Sequence, residues 1–216
     1  MARGRFITFE GPEGAGKSTQ LQLLAAWFRS RGLDPIVTRE PGGTRMGDRI
    51  REAMFGSYAE GESDHGILPL TEAFLMNAAR AQHVQELLRP ALDAGRLVLC
   101  DRYADATLAY QGYARGLDMG MLRQLISIAT GGLQPDLTIY LDVPAEIGLA
   151  RRHSHGELNR LDREDVAFHE RVIAGYRQLI AAEPERWRVV DANRPAEAVQ
   201  AELRALWEEI TASPSS

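Results

Sequence analysis

The chain has 216 residues, a hydrophobic fraction of 44%, a charged fraction of 25% and a formal net charge of −5. That balance describes one globular domain over residues 1–216, long enough to bury well over half of its unfolded surface. No apolar run approaches the roughly 18 residues of a membrane span, the acidic balance argues against a nucleic-acid surface, and one cysteine, Cys100, excludes an internal disulfide or a cysteine zinc cluster. The opening MARGRFITFE leads directly into a strand-like run, so the expectation is a cytoplasmic protein without a targeting segment.

Five short β-rich runs recur along the chain: RFITFE (5–10), PIVTRE (35–40), RLVLCD (96–101), LTIYLDV (137–143) and WRVVD (187–191). Helix-like stretches separate them, the alternation of an α/β fold with a parallel sheet covered on both faces. After the first run, 18–30 sets Leu21, Leu24, Ala25 and Phe28 at helical spacing. The stretch GSYAEGESDHG (56–66) reads as a polar loop. Thr71 is placed to cap a long helix to about position 93, bent near Pro90, with Phe74, Leu75, Ala78, Val84, Leu87 and Leu88 as its apolar faces and Phe74 in the core. Cys100 reads as a small buried strand residue. Asp118 caps a helix to about 130, and Pro144 opens one to about 152. The charged stretch HSHGELNRLDRED (153–165) has little apolar periodicity and reads as a lid. Helices over 165–182 and 195–211 follow, and ASPSS is a frayed tail.

Residues 11–18, GPEGAGKS, fit the pattern G-x-x-x-x-G-K-[ST] between a strand and an amphipathic helix. Gly11, Pro12, Glu13, Gly14, Ala15 and Gly16 make a loop whose backbone N–H groups can turn toward a phosphate, at the positive end of the helix dipole. Lys17 is placed for the β/γ-phosphates and Ser18 for Mg²⁺. Lys17 is the one lysine among 25 basic residues. A compact ammonium on a flexible stem follows a phosphoryl group inside a narrow loop, where a planar guanidinium needs more room. The pattern identifies a nucleoside triphosphate site.

With that loop, the pieces TREPGGT (38–44), NAARAQH (77–83), DRY (101–103), AYQG (109–112), PDLTIYLDV (135–143) and ELNRLD (157–162) resemble, in order, the thymidylate kinase family. The resemblance implies a three-layer P-loop NTPase fold around a five-stranded parallel sheet. It also implies transfer of the γ-phosphoryl group of ATP to dTMP with Mg²⁺, small-molecule nucleotides as partners, and a homodimer. Asp101, at a strand end, is placed to hold the Mg²⁺ shell through water, or is a turn acid. By resemblance, the loop through Thr19 contacts ATP, with Arg151 over the adenine and the backbone near Asn193 touching it. Arg102, the loop carrying Arg39 and Pro41, and Arg51 meet the acceptor phosphate, and the Glu40–Pro41 bond is open to the cis form. Several charge-assisted bonds to a dianion contribute about 1.5–3 kcal/mol each. Arg80 matches the residue that bonds the thymine edge. Met76 stands where the family usually stacks a phenylalanine on the base, and Ala106 stands where a hydroxyl is common. Tyr110 crowds the 2′ position of the sugar, or is an aromatic packed in a helix end. Gln111 lies near sugar and base, and Glu13 near the 3′-hydroxyl.

Phosphoryl transfer draws about 10³–10⁵ in rate from an arginine at the transferring group. Some family members carry it inside the phosphate loop, where this chain has Gly14. The lid offers Arg151, Arg152, Arg160 and Arg163, while His153 and His155 replace arginines of some relatives. Arg160 is therefore the expected lid catalyst, and Arg152 the substitute for the lost charge. Two rivals remain. One is a kinase for another nucleoside monophosphate. The other is a GTP-dependent switch, but its [NT]-K-x-D motif cannot occur in a chain whose one lysine sits in the phosphate loop.

Overall fold

The computed structural model describes residues 3–56, 66–154 and 158–212. Most of the expected loop 56–66, the tail after 212 and His155 lie outside the described residues. Each β-rich run forms a strand: β1 (Phe6–Glu10), β2 (Ile36–Arg39), β3 (Val98–Asp101), β4 (Leu137–Asp142) and β5 (Trp187–Asp191). They pair in parallel in the order β2-β3-β1-β4-β5. The central β1 is buried at every position, which explains its unbroken β-rich character. Parallel pairing brings the carboxyl ends of all five strands to one edge, where ligands of open α/β sheets bind.

The helices are α1 (Lys17–Ser30), α2 (Arg45–Phe55), α3 (Pro69–His83), α4 (Arg89–Asp93), α5 (Ala104–Thr107), α6 (Met119–Thr130), α7 (Ala145–His153), α8 (Val166–Ala182) and α9 (Ala196–Ala212). On one side of the sheet, Leu21, Leu24, Ala25 and Phe28 of α1 pack with Val199 and Leu203 of α9 over Phe9 and Ile139. On the other, Phe168, Val172, Tyr176 and Leu179 of α8 join Ala109, Tyr110, Leu122 and Tyr140. Asp118 and Asp165 cap α6 and α8, their side chains accepting from Met121 N and Phe168 N. Cys100 is fully buried, and burial pushes its thiol up, with Glu40 and Asp101 adding to the shift.

Three expectations change. α3 begins two residues before Thr71, with Pro69 at its start and Leu68 at the N-cap, because proline is preorganised for the first turn and needs no N–H partner there. The long helix changes character before Pro90: a π-helical turn, Val84–Leu88, intervenes, and its wider spacing accommodates a proline that cannot donate to the preceding turn. Phe74 is not in the core but 54% exposed, and Ala78 is exposed too. The inward face of α3 is instead Glu72, Ala73, Met76, Asn77, Ala79, Arg80 and His83, so its polar residues point inward. A helical segment not expected from periodicity also appears: α5 continues as a π-helix, Leu108–Ala114, which carries Tyr110 and Gln111.

Candidate active site

The phosphate loop joins β1 to α1 with Gly11, Gly14 and Gly16 at φ of 141°, 68° and 84°. Glycine takes these angles without the steric cost of a side chain. Lys17 Nζ donates to the carbonyls of Gly11 (3.1 Å) and Pro12 (2.7 Å), so its ammonium is held against the loop. Burial and the charge of Arg102 lower its pKa to about 8. A Cβ on Gly14 would stand 1.8 Å from the carbonyl oxygen of Gly148 in α7, and a Cβ on Gly148 would stand 2.3 Å from Glu13 O. The loop and α7 therefore meet backbone to backbone, and an arginine at position 14 has no room.

Ser18 Oγ donates to Asp101 Oδ2 at 2.5 Å, bringing a hydroxyl from the start of α1 to a carboxylate at the end of β3. This is a hard oxygen pair of the kind Mg²⁺ takes alongside phosphate oxygens. Among the described residues no group of three or more His, Cys, Asp or Glu could hold a metal, so an ion here would depend on this pair and the triphosphate.

Arg102 follows Asp101 with φ of 66°, a left-handed conformation uncommon outside glycine. Its Nη2 donates to Glu13 Oε1 (2.8 Å) and Tyr110 Oη (2.9 Å), and its Nη1 to Gly11 O (3.0 Å) and Tyr176 Oη (3.2 Å). Tyr110 Oη also donates to Glu13 Oε1 at 3.0 Å. Burial alone would raise the Glu13 carboxyl, but Arg102 and Lys17 override it and hold the pKa at about 2. Beneath this group, Glu10 accepts from Tyr103 N (2.8 Å) and Tyr176 Oη (2.6 Å), while burial and Asp105 raise its pKa to about 7.

Beside Arg102 stand Arg39 and Arg51, whose Nη1 donates to Pro41 O at 3.2 Å after a cis Glu40–Pro41 bond. Burial lowers the pKa of Arg51, and neighbouring Arg39 lowers it further. Guanidinium groups gathered in this way can receive an anion, although Arg39 also stands 3.2 Å from Asp48 and Arg102 is paired with Glu13.

One cleft of about 720 Å³ connects these parts. It is lined by Glu13, Gly14, Ala15, Gly16, Lys17, Ser18 and Thr19, by Arg39, Pro41, Arg51, Asp101 and Arg102, by Met76, Ala106, Tyr110 and Gln111, and by Arg151 and Arg152. Five expected residues stand off its walls. Gly11 and Pro12 turn their carbonyls to Lys17. Arg80 is fully buried, donating to Glu40, Asn77, Tyr103 O and Thr107, because the Glu40 carboxylate and these acceptors claim its planar donor set. Asn193 Oδ1 accepts from Arg151 Nη2 at 3.4 Å. Arg160 is drawn to Glu72, its Nη2 at 2.7 Å from Oε2, whereas Arg152, 3.0 Å from Asp162, is on the cleft.

Sequence reasoning overlooked Glu72, Phe55, Asn159, Leu161, Ala196, Val199 and Gln20, all on the cleft wall. Glu72 had a signal: positions 72, 76 and 80 repeat every four residues on one helical face. Phe55 had none, since a phenylalanine at a helix end reads equally well as packing.

The thymidylate kinase family description matches residues 9–203. The thymidylate kinase of Thermomicrobium roseum is 56% identical over 207 residues, covering 95% of this chain and 94% of its own length. That of Deinococcus radiodurans is 50% identical over 205 residues, covering 95% and 97%. A crystal structure of thymidylate kinase from Ehrlichia chaffeensis superposes with a TM-score of 0.76 at 28% identity, covering 95% of this chain and 99% of that one.

Proposed function

Because the chain belongs to the thymidylate kinase family, we propose that its cleft transfers the γ-phosphoryl group of ATP to the 5′-phosphate of dTMP, giving dTDP. The observation that carries this reading is the continuity of the cleft: the phosphate loop, the three arginines Arg39, Arg51 and Arg102, and Met76, Tyr110 and Gln111 all line one space. In-line transfer needs donor and acceptor phosphates in one water-poor space with their charge neutralised.

In this reading the loop N–H groups through Thr19 and Lys17 hold the triphosphate, and Arg151 and Asn193, joined to each other, flank the adenine. Ser18 and Asp101 would hold Mg²⁺, which when bound offsets charge on the β/γ-phosphates. Arg102, Arg39, Arg51 and Pro41 receive the acceptor phosphate. Glu13, kept ionised by Arg102, accepts from the 3′-hydroxyl, and Tyr110, fixed by the same pair, closes the 2′ side. Met76 and Gln111 contact the base, and Arg80, the match to the residue that bonds the thymine edge, would have to release some of its bonds to Glu40, Asn77, Tyr103 O and Thr107 to reach it. Arg152 and Arg160 supply the lid charge at the transferring group. We read residues 1–216 as one such domain, cytoplasmic and homodimeric: Leu70 and Phe74 of α3 and Ile128 of α6 are exposed by 44%, 54% and 81% on helices that pack together. Among the described residues no helix is long and apolar enough to cross a membrane.

The test is ADP formation from ATP with dTMP, dUMP, dCMP and AMP as acceptors. Preference for dTMP is expected, and a strong preference for AMP overturns the assignment.

A further inference from the structure

Glu72 is a carboxylate, 1% exposed at its side chain, in the wall of the cleft that Met76 and Gln111 also line. Its Oε1 accepts from Gln111 Nε2 at 2.5 Å, and its Oε2 accepts from Arg160 Nη2 at 2.7 Å, with Arg115 Nη2 at 3.6 Å. A carboxylate accepts hydrogen bonds and donates none. The chemistry leaves Gln111 one orientation: its NH₂ must face Glu72. Its other branch, Oε1, is buried without a hydrogen-bond partner among the described residues, on a side chain that lines the cleft beside Met76 and Ala106. A buried acceptor without a partner costs free energy until a donor reaches it.

We infer that Glu72 is a positioning residue for base selection: by locking the Gln111 amide, it presents an acceptor oxygen to the base and so selects a pyrimidine whose ring edge carries an imide N–H. Thymine and uracil carry that donor. Cytosine presents a lone pair at the same ring position and would set two acceptors against each other. A site built around a buried polar group rejects the analogue that leaves it unpaired far more strongly than a hydrophobic pocket rejects a missing methyl. Discrimination against cytosine would therefore originate in α3, one turn before Met76, in a residue that acts on the base only through Gln111. The same lock leaves dUMP unexcluded at this position.

The inference rests on dTMP as the acceptor, and the test separates the two. Kinetics of the full chain are measured with ATP and either dTMP or dCMP, for wild type, Glu72→Gln and Gln111→Leu. In Glu72→Gln the new amide can donate, so Gln111 is free to turn its NH₂ toward the base. The dTMP-to-dCMP ratio of kcat/KM is expected to fall at least about tenfold, the equivalent of one mispaired hydrogen bond. Gln111→Leu removes the presented oxygen and should lower the ratio to a similar degree, even if Glu72→Gln does not fold. Wild-type enzyme inactive on dTMP would overturn the substrate assignment. Active wild type, with both nucleotides losing efficiency by the same factor in a folded variant, would overturn the role of Glu72.

Discussion

Arg152, in α7, and Arg160, in the stretch expected to act as a lid, have different partners, Asp162 and Glu72, and of the two Arg152 lies on the cleft wall. Arg160→Ala is expected to slow single-turnover transfer at least about 100-fold while weakening ATP binding far less, and near wild-type transfer would remove Arg160 from the mechanism. Glu10 offers a second measurement at this scale. Its pKa is raised from 4.5 to about 7 in the folded protein by burial and Asp105, so across that window the folded state keeps a proton that the unfolded state has released. Stability contributed by this group is present at low pH and is lost as pH rises through the window. Glu10→Gln should gain stability relative to wild type, by up to about 3 kcal/mol, between about pH 5 and about pH 8 in paired urea denaturations. Legibility in the sequence also divides by residue. That Lys17, Ser18, Asp101 and Arg102 would meet in one cleft was legible, because the loop pattern and two strand ends fix where the first three stand and Arg102 follows Asp101 directly. Where Arg80 and Arg160 would point was not, because each guanidinium is placed by a carboxylate, Glu40 or Glu72, that is distant in sequence.

At the scale of elements, α7 and the phosphate loop are joined by the approach of Gly14 to Gly148. Gly148→Ala is expected to push α7 off the loop, costing about 1–3 kcal/mol by urea denaturation and lowering kcat, because Arg151 and Arg152 move with the helix. The N-cap of α6 gives the contrast. Asp118→Ala should cost about 1 kcal/mol and leave kcat unchanged, since its side chain caps only Met121 N. The five strands, α1 and the capped helices were legible because alternation, apolar spacing and cap residues agree there. The inward face of α3 was misread because its buried positions are polar: Glu72, Asn77, Arg80 and His83 form hydrogen bonds inside, so hydrophobic periodicity pointed to the wrong side. The π-helical segment with Tyr110 and Gln111 escaped for a related reason, as its spacing departs from 3.6 residues per turn.

For the whole molecule, the reversed polarity of α3 leaves Leu70 and Phe74 exposed, and α6, which packs with α3, exposes Ile128. Phe74→Glu combined with Ile128→Glu is expected to convert a dimer to a monomer in sedimentation velocity, and a wild-type protein that sediments as a monomer would remove the dimer from the proposal. The sheet order β2-β3-β1-β4-β5 sets the phosphate loop and Asp101 side by side on neighbouring central strands, so fold and donor site arise together. α7, which leads into the stretch expected to act as a lid, meets that centre through Gly148. Viewed as a mutational landscape, the contact of two glycines is therefore a barrier between two ways of neutralising the transferring phosphate. An arginine at position 14 becomes possible only after α7 has been displaced, and a displaced α7 takes Arg151 and Arg152 away from the cleft wall. Any stepwise path from one arrangement to the other must therefore pass through a variant whose α7 has already shifted, with Arg160, held by Glu72, left as the charge outside the loop.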